Sequence, residues 1–244
     1  MKPVLLVIAH GSRDPRHAAT VHALVRRVRS LRPDVRVETG FLDFNIPSVQ
    51  GVLESLAAQG VRDVVALPLL LTRAFHAKAD IPAVLRDAPP QLRIRQAEVL
   101  GPSPLLLSAL ERRLYQAGLT PADKSSTGVV LASAGSTDPE AIAVIADIAR
   151  EWRHTGWCAV RPAFASAALP RTEDAVRELR DLGCAKVAVA PYVLAPGFLP
   201  DRIARGAAEA DVLAEVLGPA PEVARVLLRR YVTASARVLL PVSA

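Results

Sequence analysis

Residues 4–15 read VLLVIAHGSRDP, and this stretch decides how the chain is expected to fold. The apolar run at 4–9 does not alternate with polar residues, which is typical of a strand buried on both faces of a sheet. A turn at 10–12 follows, and Asp14 is then placed to cap a helix whose first turn would hold Pro15. The stretch therefore predicts a strand, a short turn and a helix in immediate succession, which is the unit of parallel α/β sheets.

The same pattern returns in the second half of the chain. Residues 8–15, IAHGSRDP, align with residues 132–139, ASAGSTDP, and three further landmarks follow in the same order about 120 residues apart. These landmarks pair GFLD at 40–43 with AFAS at 163–166, ALP at 66–68 with VAP at 189–191, and GPSP at 101–104 with GPAP at 218–221. We therefore predict a tandem duplication, with one copy of a domain at 1–118, a second at 128–244 and a polar linker between them.

Each half alternates predicted strands with predicted helices. In the first half the expected strands are 4–9, 35–42, 61–71 and 92–100, and the expected helices begin at Pro15 or cover 47–58, 81–86 and 104–117. Continuously apolar strands that are each followed by a helix indicate a parallel sheet covered on both faces. The predicted fold class is α/β, with two tandem doubly wound domains of about four mainly parallel strands each.

The composition argues against several classes of protein. No apolar run approaches the roughly 20 residues of a membrane-spanning helix. The two cysteines, Cys158 and Cys184, are too few for a disulfide framework and are predicted to be buried thiols of a cytoplasmic protein. The net charge of +6 could serve nucleic acid, an anionic membrane or a polyanionic small molecule, but the arginines are scattered along predicted helices and aromatic residues make up only 4%. Since nucleotide-binding glycine motifs are also missing, we expect no nucleic-acid, membrane or nucleotide partner.

Three predicted strands of the first half end in polar loops. His10 follows the first strand, Asp43 the second and His76 the third. Ligands of open parallel sheets lie beyond the carboxyl ends of the strands, so these three side chains are expected to converge on one edge. Neutral imidazole binds divalent transition metals and accepts protons near pH 7. Two histidines with a nearby carboxylate therefore predict an open metal site.

Each of these residues also has a purely structural interpretation. A histidine at the end of a strand is commonly a hydrogen-bonded structural residue, and Asp43 could bond its own backbone in the loop. The remaining histidines lie in or near predicted helices and are expected to be solvated or packed; they are His17, His22 and His154.

At these positions the sequence resembles the class II chelatases that act on sirohydrochlorin, in their two-domain bacterial form. The resemblance rests on AHGSRDP at 9–15, FLD at 41–43 with Pro47, and PLLL at 68–71 leading to His76 and to DIP at 80–82. It implies insertion of Fe²⁺ or Co²⁺ into sirohydrochlorin without a nucleotide, in siroheme or cobalamin biosynthesis. It further implies that His10 and His76 are the catalytic and metal-binding residues, with Asp43 as a further metal ligand where the family more often has glutamate.

The second half departs from this pattern at all three candidate positions. The residues that replace the two histidines and the carboxylate are Ala134, Leu199 and Ser166. The glycine-serine turn and the prolines persist, so the fold is expected to be retained without the chemistry. We therefore predict that the domain at 1–118 is catalytic and that the domain at 128–244 is a degenerate repeat of it.

The resemblance also implies an acidic tetrapyrrole as the small-molecule partner. Arg13, Ser12 and Arg73 stand in the predicted strand-end loops and are the best placed to bind its carboxylates. A tetrapyrrole or metal carrier without turnover is the alternative function, because the same residues would serve it. The sequence leaves both a monomer and a homodimer open.

Overall fold

The computed structural model describes residues 2–73 and 76–236, without the side chains of His76 and Ala77. The first sheet has four strands, which are β1 (Val4–Ala9), β2 (Val37–Phe41), β3 (Asp63–Pro68) and β4 (Arg93–Gln96). They are all parallel and lie in the order β2-β1-β3-β4. The helices between them are α1 (Pro15–Leu31), α2 (Val49–Ala58) and α3 (Ile81–Arg86), and a π-helical turn, His76–Asp80, leads into α3.

The second sheet repeats this arrangement. Its strands are β5 (Thr127–Ser133), β6 (Ala159–Phe164), β7 (Lys186–Tyr192) and β8 (Val212–Leu213), all parallel in the order β6-β5-β7-β8. The remaining helices are α4 (Pro104–Gln116), α5 (Pro139–Arg153), α6 (Thr172–Asp181), α7 (Phe198–Gly206) and α8 (Pro221–Ala236), with a 3-10 turn at Pro121–Ser126. The predicted fold class, two tandem four-stranded parallel α/β sheets, is confirmed. Within residues 2–73 and 76–236, no helix is both long and apolar enough to cross a membrane.

Helix α1 begins where the sequence predicts. The Asp14 carboxylate accepts a hydrogen bond from the backbone N–H of Arg16 at 2.9 Å, and Pro15 occupies the first turn. The buried face of the helix is formed by Val21, Leu24, Val25 and Val28. Leu31 continues the same apolar spacing in the sequence and would be expected to extend this face, but it is the last residue of the helix and its side chain is 48% exposed.

Several other helices and strands are shorter than predicted. Helix α2 begins at Val49 instead of residue 47, because the Ser48 hydroxyl accepts a hydrogen bond from the N–H of Gly51 and so caps the helix there. Strands β2, β3 and β4 also lose residues at their ends relative to the predicted ranges. Apolar residues continue into the loops at these points, so hydropathy alone overestimates strand length.

The compact units of the chain do not coincide with its sequence repeats. One unit comprises Met1–Gly101 together with Pro219–Ala244, and the other comprises Pro102–Gly218. Helix α8 accordingly packs against α1 and β3, and α4 packs against β7. Relative to the predicted domains at 1–118 and 128–244, the last helix of each repeat is therefore exchanged. The spacing of apolar residues within a helix does not reveal which sheet it will cover.

Replacing Tyr231 by phenylalanine tests the attachment of α8 to the first sheet. The Tyr231 side chain is 2% exposed, and its hydroxyl donates a hydrogen bond of 2.7 Å to the carbonyl of Pro3. Loss of this buried bond is expected to lower the free energy of unfolding by about 1–2 kcal/mol in urea denaturation. Tyr115→Phe is the matched control, because that hydroxyl bonds Glu111 within α4, and we expect a change below about 0.5 kcal/mol. Equal losses in the two variants would contradict the proposed role of Tyr231.

Candidate active site

The turn after β1 is pressed against the turn after β2. Pairing of the two strands continues past their ends, since the N–H of Asp43 donates to the carbonyl of His10 at 2.9 Å. Gly11 then turns away with a φ of +96°, and a Cβ atom at this position would lie 1.8 Å from the carbonyl oxygen of Asp43. Only glycine allows both this backbone conformation and this approach. The glycine therefore fixes His10 and Asp43 on adjoining backbone segments at the carboxyl edge of the sheet.

A hydrogen bond from the turn after β1 to the side chain of Asn45 also links this turn to the turn after β2. Its side-chain oxygen accepts a hydrogen bond of 2.8 Å from the N–H of Ser12. The Ser12 hydroxyl in turn accepts the N–H of Asp14 at 3.0 Å, which joins the turn to the cap of α1. The sequence marks Asn45 only as part of the loop after β2, and no spacing rule pairs it with Ser12. It is a structural residue of the site that the sequence analysis missed.

The imidazole of His10 is half-buried at this edge. Its Nδ1 atom lies 3.2 Å from the carbonyl oxygen of Gly11. Since a carbonyl can only accept, Nδ1 is the protonated nitrogen in the neutral ring and Nε2 carries the lone pair. A backbone partner of this kind is the usual means of orienting a histidine toward a metal ion.

Asp43 makes the backbone bond of its structural interpretation, and its role as a metal ligand stays a prediction. Its side chain is exposed, and Oδ1 accepts a hydrogen bond of 2.8 Å from the N–H of Phe44. This is the bond to its own backbone that is typical of loop aspartates. A carboxylate offers about four lone-pair positions, so the bond leaves capacity for a cation.

An aromatic ring that the sequence analysis did not single out lies beside His10. The ring of Phe44 is tilted against that of His10 with 6.3 Å between centroids, and the guanidinium carbon of Arg13 lies 5.2 Å from the Phe44 centroid. Phe44 has a φ of +61°, which is uncommon for a bulky residue. Its side chain is 50% exposed, and that of Ile46 is 88% exposed. The turn after β2 thus presents apolar surface with an arginine over it.

The third predicted loop is described only in part. Arg73 is exposed in the loop after β3, and the backbone of His76 begins the π-helical turn that leads into α3. The side chain of His76 lies outside the described part of the chain, so its convergence with His10 stays a prediction. Among the side chains that the structure describes, no three of the histidine, cysteine, aspartate and glutamate types are grouped to hold a metal ion.

His17 is packed, which is one of the two roles that its helical position predicts. It lies in the first turns of α1 and is half-buried, and no described residue offers its Nδ1 atom a hydrogen-bond partner. Burial lowers the pKa of His17, and the nearby charge of a protonated His10 lowers it further. The structure therefore brings a second imidazole near His10, and burial disfavours its charged form. The sequence signal was its place at the start of the helix that leaves the His10 turn.

The second unit repeats the backbone of this site. Gly135 has a φ of +93°, and a Cβ atom there would lie 1.9 Å from the carbonyl oxygen of Ser166. Ala167 shares the positive φ of Phe44, at +62° and +61° respectively. The peptide bonds before Pro47 and Pro170 are both cis. The duplication therefore preserves the turn geometry even where the residues have changed.

The side chains of this second turn carry no imidazole or carboxylate at the equivalent positions. Ala134 stands where the first unit has His10, and the Ser166 hydroxyl donates a hydrogen bond of 2.9 Å to the Ala134 carbonyl. Leu199 lies at the start of α7, in the place that corresponds to His76. These residues offer no imidazole nitrogen or carboxylate oxygen to a metal ion.

Two such sheets in tandem are the architecture of known chelatases. SirB from Bacillus subtilis with Fe³⁺ matches this chain with a TM-score of 0.83 and 26% identity, over 98% of this chain and 97% of that one. The chain belongs to the CbiX family, whose model matches residues 4–117 and again residues 128–234.

Relatives with assigned activities are similar over most of the chain. The sirohydrochlorin cobaltochelatase of Priestia megaterium is 32% identical over 210 residues, which are 83% of this chain and 67% of that protein. The sirohydrochlorin ferrochelatase of Bacillus subtilis (strain 168) is 28% identical over 211 residues, which are 84% of this chain and 79% of that protein. The predicted kinship with class II chelatases is thus confirmed.

Proposed function

We propose that this chain is a sirohydrochlorin chelatase, which inserts Fe²⁺ or Co²⁺ into the tetrapyrrole at the carboxyl edge of its first sheet. The observation that carries the proposal is that the CbiX family model matches both repeats of the chain. In the first repeat, His10 precedes Gly11 in the turn that packs closely against the turn after β2. The similar cobaltochelatase and ferrochelatase leave both metals as candidate substrates.

The chemistry requires little beyond coordination and proton transfer. Insertion exchanges two pyrrole N–H protons of the macrocycle for one divalent metal ion, so the protein must hold the metal ion near the ring and accept protons. Because Nδ1 of His10 is committed to the carbonyl of Gly11, Nε2 is the atom that would bind the metal or take up a proton. His76 is proposed to share this work, with Asp43 as a third ligand of the metal substrate.

The turn after β2 has the surface that an acidic macrocycle would need. The exposed side chains of Phe44 and Ile46 supply apolar contact for the flat ring. Arg13 lies over Phe44 and is proposed to bind the peripheral carboxylates, together with Arg73 and the Ser12 hydroxyl. This use of arginine is in keeping with the net charge of +6.

The division of roles between the repeats follows from the substitutions. The first repeat, 1–118, is proposed to be catalytic, and the second, 128–244, to be degenerate, because Ala134 provides no nitrogen where His10 does. One site per chain is therefore expected. Reconstituted chain should bind one metal ion at saturation, and a stoichiometry of two in equilibrium dialysis would argue against this division.

The proposal includes the setting of the reaction. We place the chain in the cytoplasm, in siroheme or cobalamin biosynthesis, with a small acidic tetrapyrrole as its partner and with no nucleic acid or membrane. Monomer and homodimer are both compatible with a site built from one unit, and light scattering after size exclusion distinguishes them.

The decisive experiment is an anaerobic assay with sirohydrochlorin and either Fe²⁺ or Co²⁺, followed by visible spectroscopy against a blank without protein. Many turnovers per chain, faster than the blank, are expected with at least one metal. Tight binding of the tetrapyrrole with a rate equal to the blank would instead identify the alternative function, a carrier without turnover.

Variants of Asp43 test whether its carboxylate reaches the metal substrate. Asp43→Asn keeps an oxygen for the N–H of Phe44 but removes the charge, so a ligand role predicts about a tenfold rise in the metal concentration for half-maximal rate. Asp43→Glu should retain or lower that concentration. Ser166→Ala, at the equivalent place in the second repeat, is the matched control and should match the wild type. Unchanged metal dependence in Asp43→Asn would restrict Asp43 to its backbone bond.

A further inference from the structure

The two cysteines of the chain meet at the amino edge of the second sheet. Cys158 immediately precedes β6 and Cys184 shortly precedes β7, and their sulfur atoms are 3.7 Å apart. The amino ends of parallel strands lie opposite the edge that carries Ala134, so this contact is remote from the chelatase-like turn of the same unit. The prediction that both thiols are buried is wrong for Cys158, which is exposed because it lies on the bend before the strand; Cys184 is 6% exposed.

The contact depends on a glycine in the strand between them. Strand β5 separates β6 from β7, and neighbouring strands are about 4.8 Å apart, so residues on β6 and β7 ordinarily do not touch. Gly128 of β5 has no side chain, and a Cβ atom there would lie 2.8 Å from the sulfur of Cys184. The thiol of Cys184 fills that space and so reaches across β5 toward Cys158.

The backbone holds both residues in this arrangement. The N–H of Cys158 donates to the carbonyls of Lys124 and Thr127, at 2.9 and 3.2 Å, and the N–H of Cys184 donates to Leu179 at 3.2 Å. A disulfide needs a sulfur separation of about 2 Å. The two sulfur atoms, 3.7 Å apart, would have to approach to that separation for the bond to form.

We propose that Cys158 and Cys184 are a redox modification site, at which a peroxide forms a reversible disulfide. The exposed Cys158 thiolate attacks one peroxide oxygen, which forms the sulfenic acid and releases water when the other oxygen is protonated. The sulfur of Cys184 then attacks the Cys158 sulfur, the S–S bond forms, and the sulfenic hydroxyl leaves as water with the thiol proton. In total, two thiols are oxidised to one disulfide and one hydrogen peroxide is reduced to two waters.

The surroundings give the two sulfurs different roles. Burial raises the pKa of the Cys184 thiol, and hydrogen bonding with Cys158 raises it further. Cys184 therefore stays protonated and sheltered while the exposed Cys158 meets the oxidant. The bond would close a loop that contains β6 and α6, and such a cross-link is expected to stabilise the second unit by restricting its unfolded chain.

The test treats the reduced full-length chain with a small excess of hydrogen peroxide, followed by N-ethylmaleimide under denaturing conditions and by intact mass spectrometry. A mass lower by two hydrogens, no maleimide adduct and a Cys158–Cys184 linked peptide are expected. The Tm should rise on the order of 5 °C and return to the starting value with dithiothreitol. Untreated chain should take up two maleimides.

The controls are Cys158→Ser and Cys184→Ser, neither of which should show the Tm rise. Over-oxidation of Cys158 with Cys184 still alkylated, or a cross-linked dimer on a non-reducing gel, would overturn the proposal. Because the reaction involves no candidate site residue, the result is independent of whether the chain proves to be a chelatase.

Discussion

His10→Ala is expected to lower the rate of metal insertion by about 100-fold or more, with the rate in the absence of protein subtracted. The Nδ1 atom of the His10 imidazole lies 3.2 Å from the carbonyl oxygen of Gly11, and Nε2 is the nitrogen that we propose acts on the metal substrate or on a proton. Alanine would remove the nitrogen that is proposed to bind the metal substrate or to accept a proton. His76→Ala is expected to give a loss of similar size if the two histidines act together.

Two comparisons separate this loss from an effect on folding. Removal of the bond to Gly11 should cost at most about 1 kcal/mol, so His10→Ala should unfold in urea at nearly the concentration of the wild type. His154→Ala removes an exposed histidine at the end of α5 in the other unit, and we expect full activity. A wild-type rate in His10→Ala would place the chemistry elsewhere in the molecule.

Gly11→Ala is expected to have the largest effect on stability, a loss of about 3–5 kcal/mol in the free energy of unfolding. A methyl group at this position would meet the carbonyl oxygen of Asp43 at 1.8 Å. The φ of +96° by itself costs an alanine about 1–2 kcal/mol. Relief of the contact would separate the turns after β1 and β2, so chelatase activity should fall together with stability.

Other glycines in the chain distinguish the cost of the positive φ from the cost of the steric contact. Gly183 has a φ of +80° with nothing within 4 Å of a Cβ atom, so Gly183→Ala should cost only about 1 kcal/mol. Gly135→Ala meets Ser166 at 1.9 Å and should destabilise the second unit as strongly as Gly11→Ala destabilises the first. Equal, small losses for Gly11→Ala and Gly183→Ala would mean that the turn can open without cost.

Much of the fold was predictable because its signals are local. The apolar run of β1, the cap at Asp14 and the proline at position 15 act within a few residues, and the structure places both β1 and the start of α1 where they predict. The exchange of α4 and α8 depends on contacts between distant parts of the chain. Their apolar faces are suitable for covering either sheet, so the sequence pattern does not distinguish the two arrangements.

Part of the candidate site could likewise be predicted from the sequence, and part depends on contacts between distant residues. His10 and Asp43 could be proposed because strand ends in parallel sheets meet at one edge. The positive φ of Phe44, the bond from Ser12 to Asn45 and the burial of His17 depend on how the turns after β1 and β2 pack, which residue types alone do not specify. The closeness of Cys158 and Cys184 likewise depends on the one residue of β5, Gly128, that leaves room for sulfur.

The exchanged helices also set an order of events during translation. The unit Pro102–Gly218 is contiguous, so it can close as soon as its last strand has left the ribosome. The unit that carries His10 begins first but waits for α8, which covers part of α1 and β3. Its apolar surface is thus exposed to chaperones while nearly the whole chain is synthesised. A nascent chain arrested after Gly218 would already hold every residue of the candidate site, yet not the folded unit that presents them.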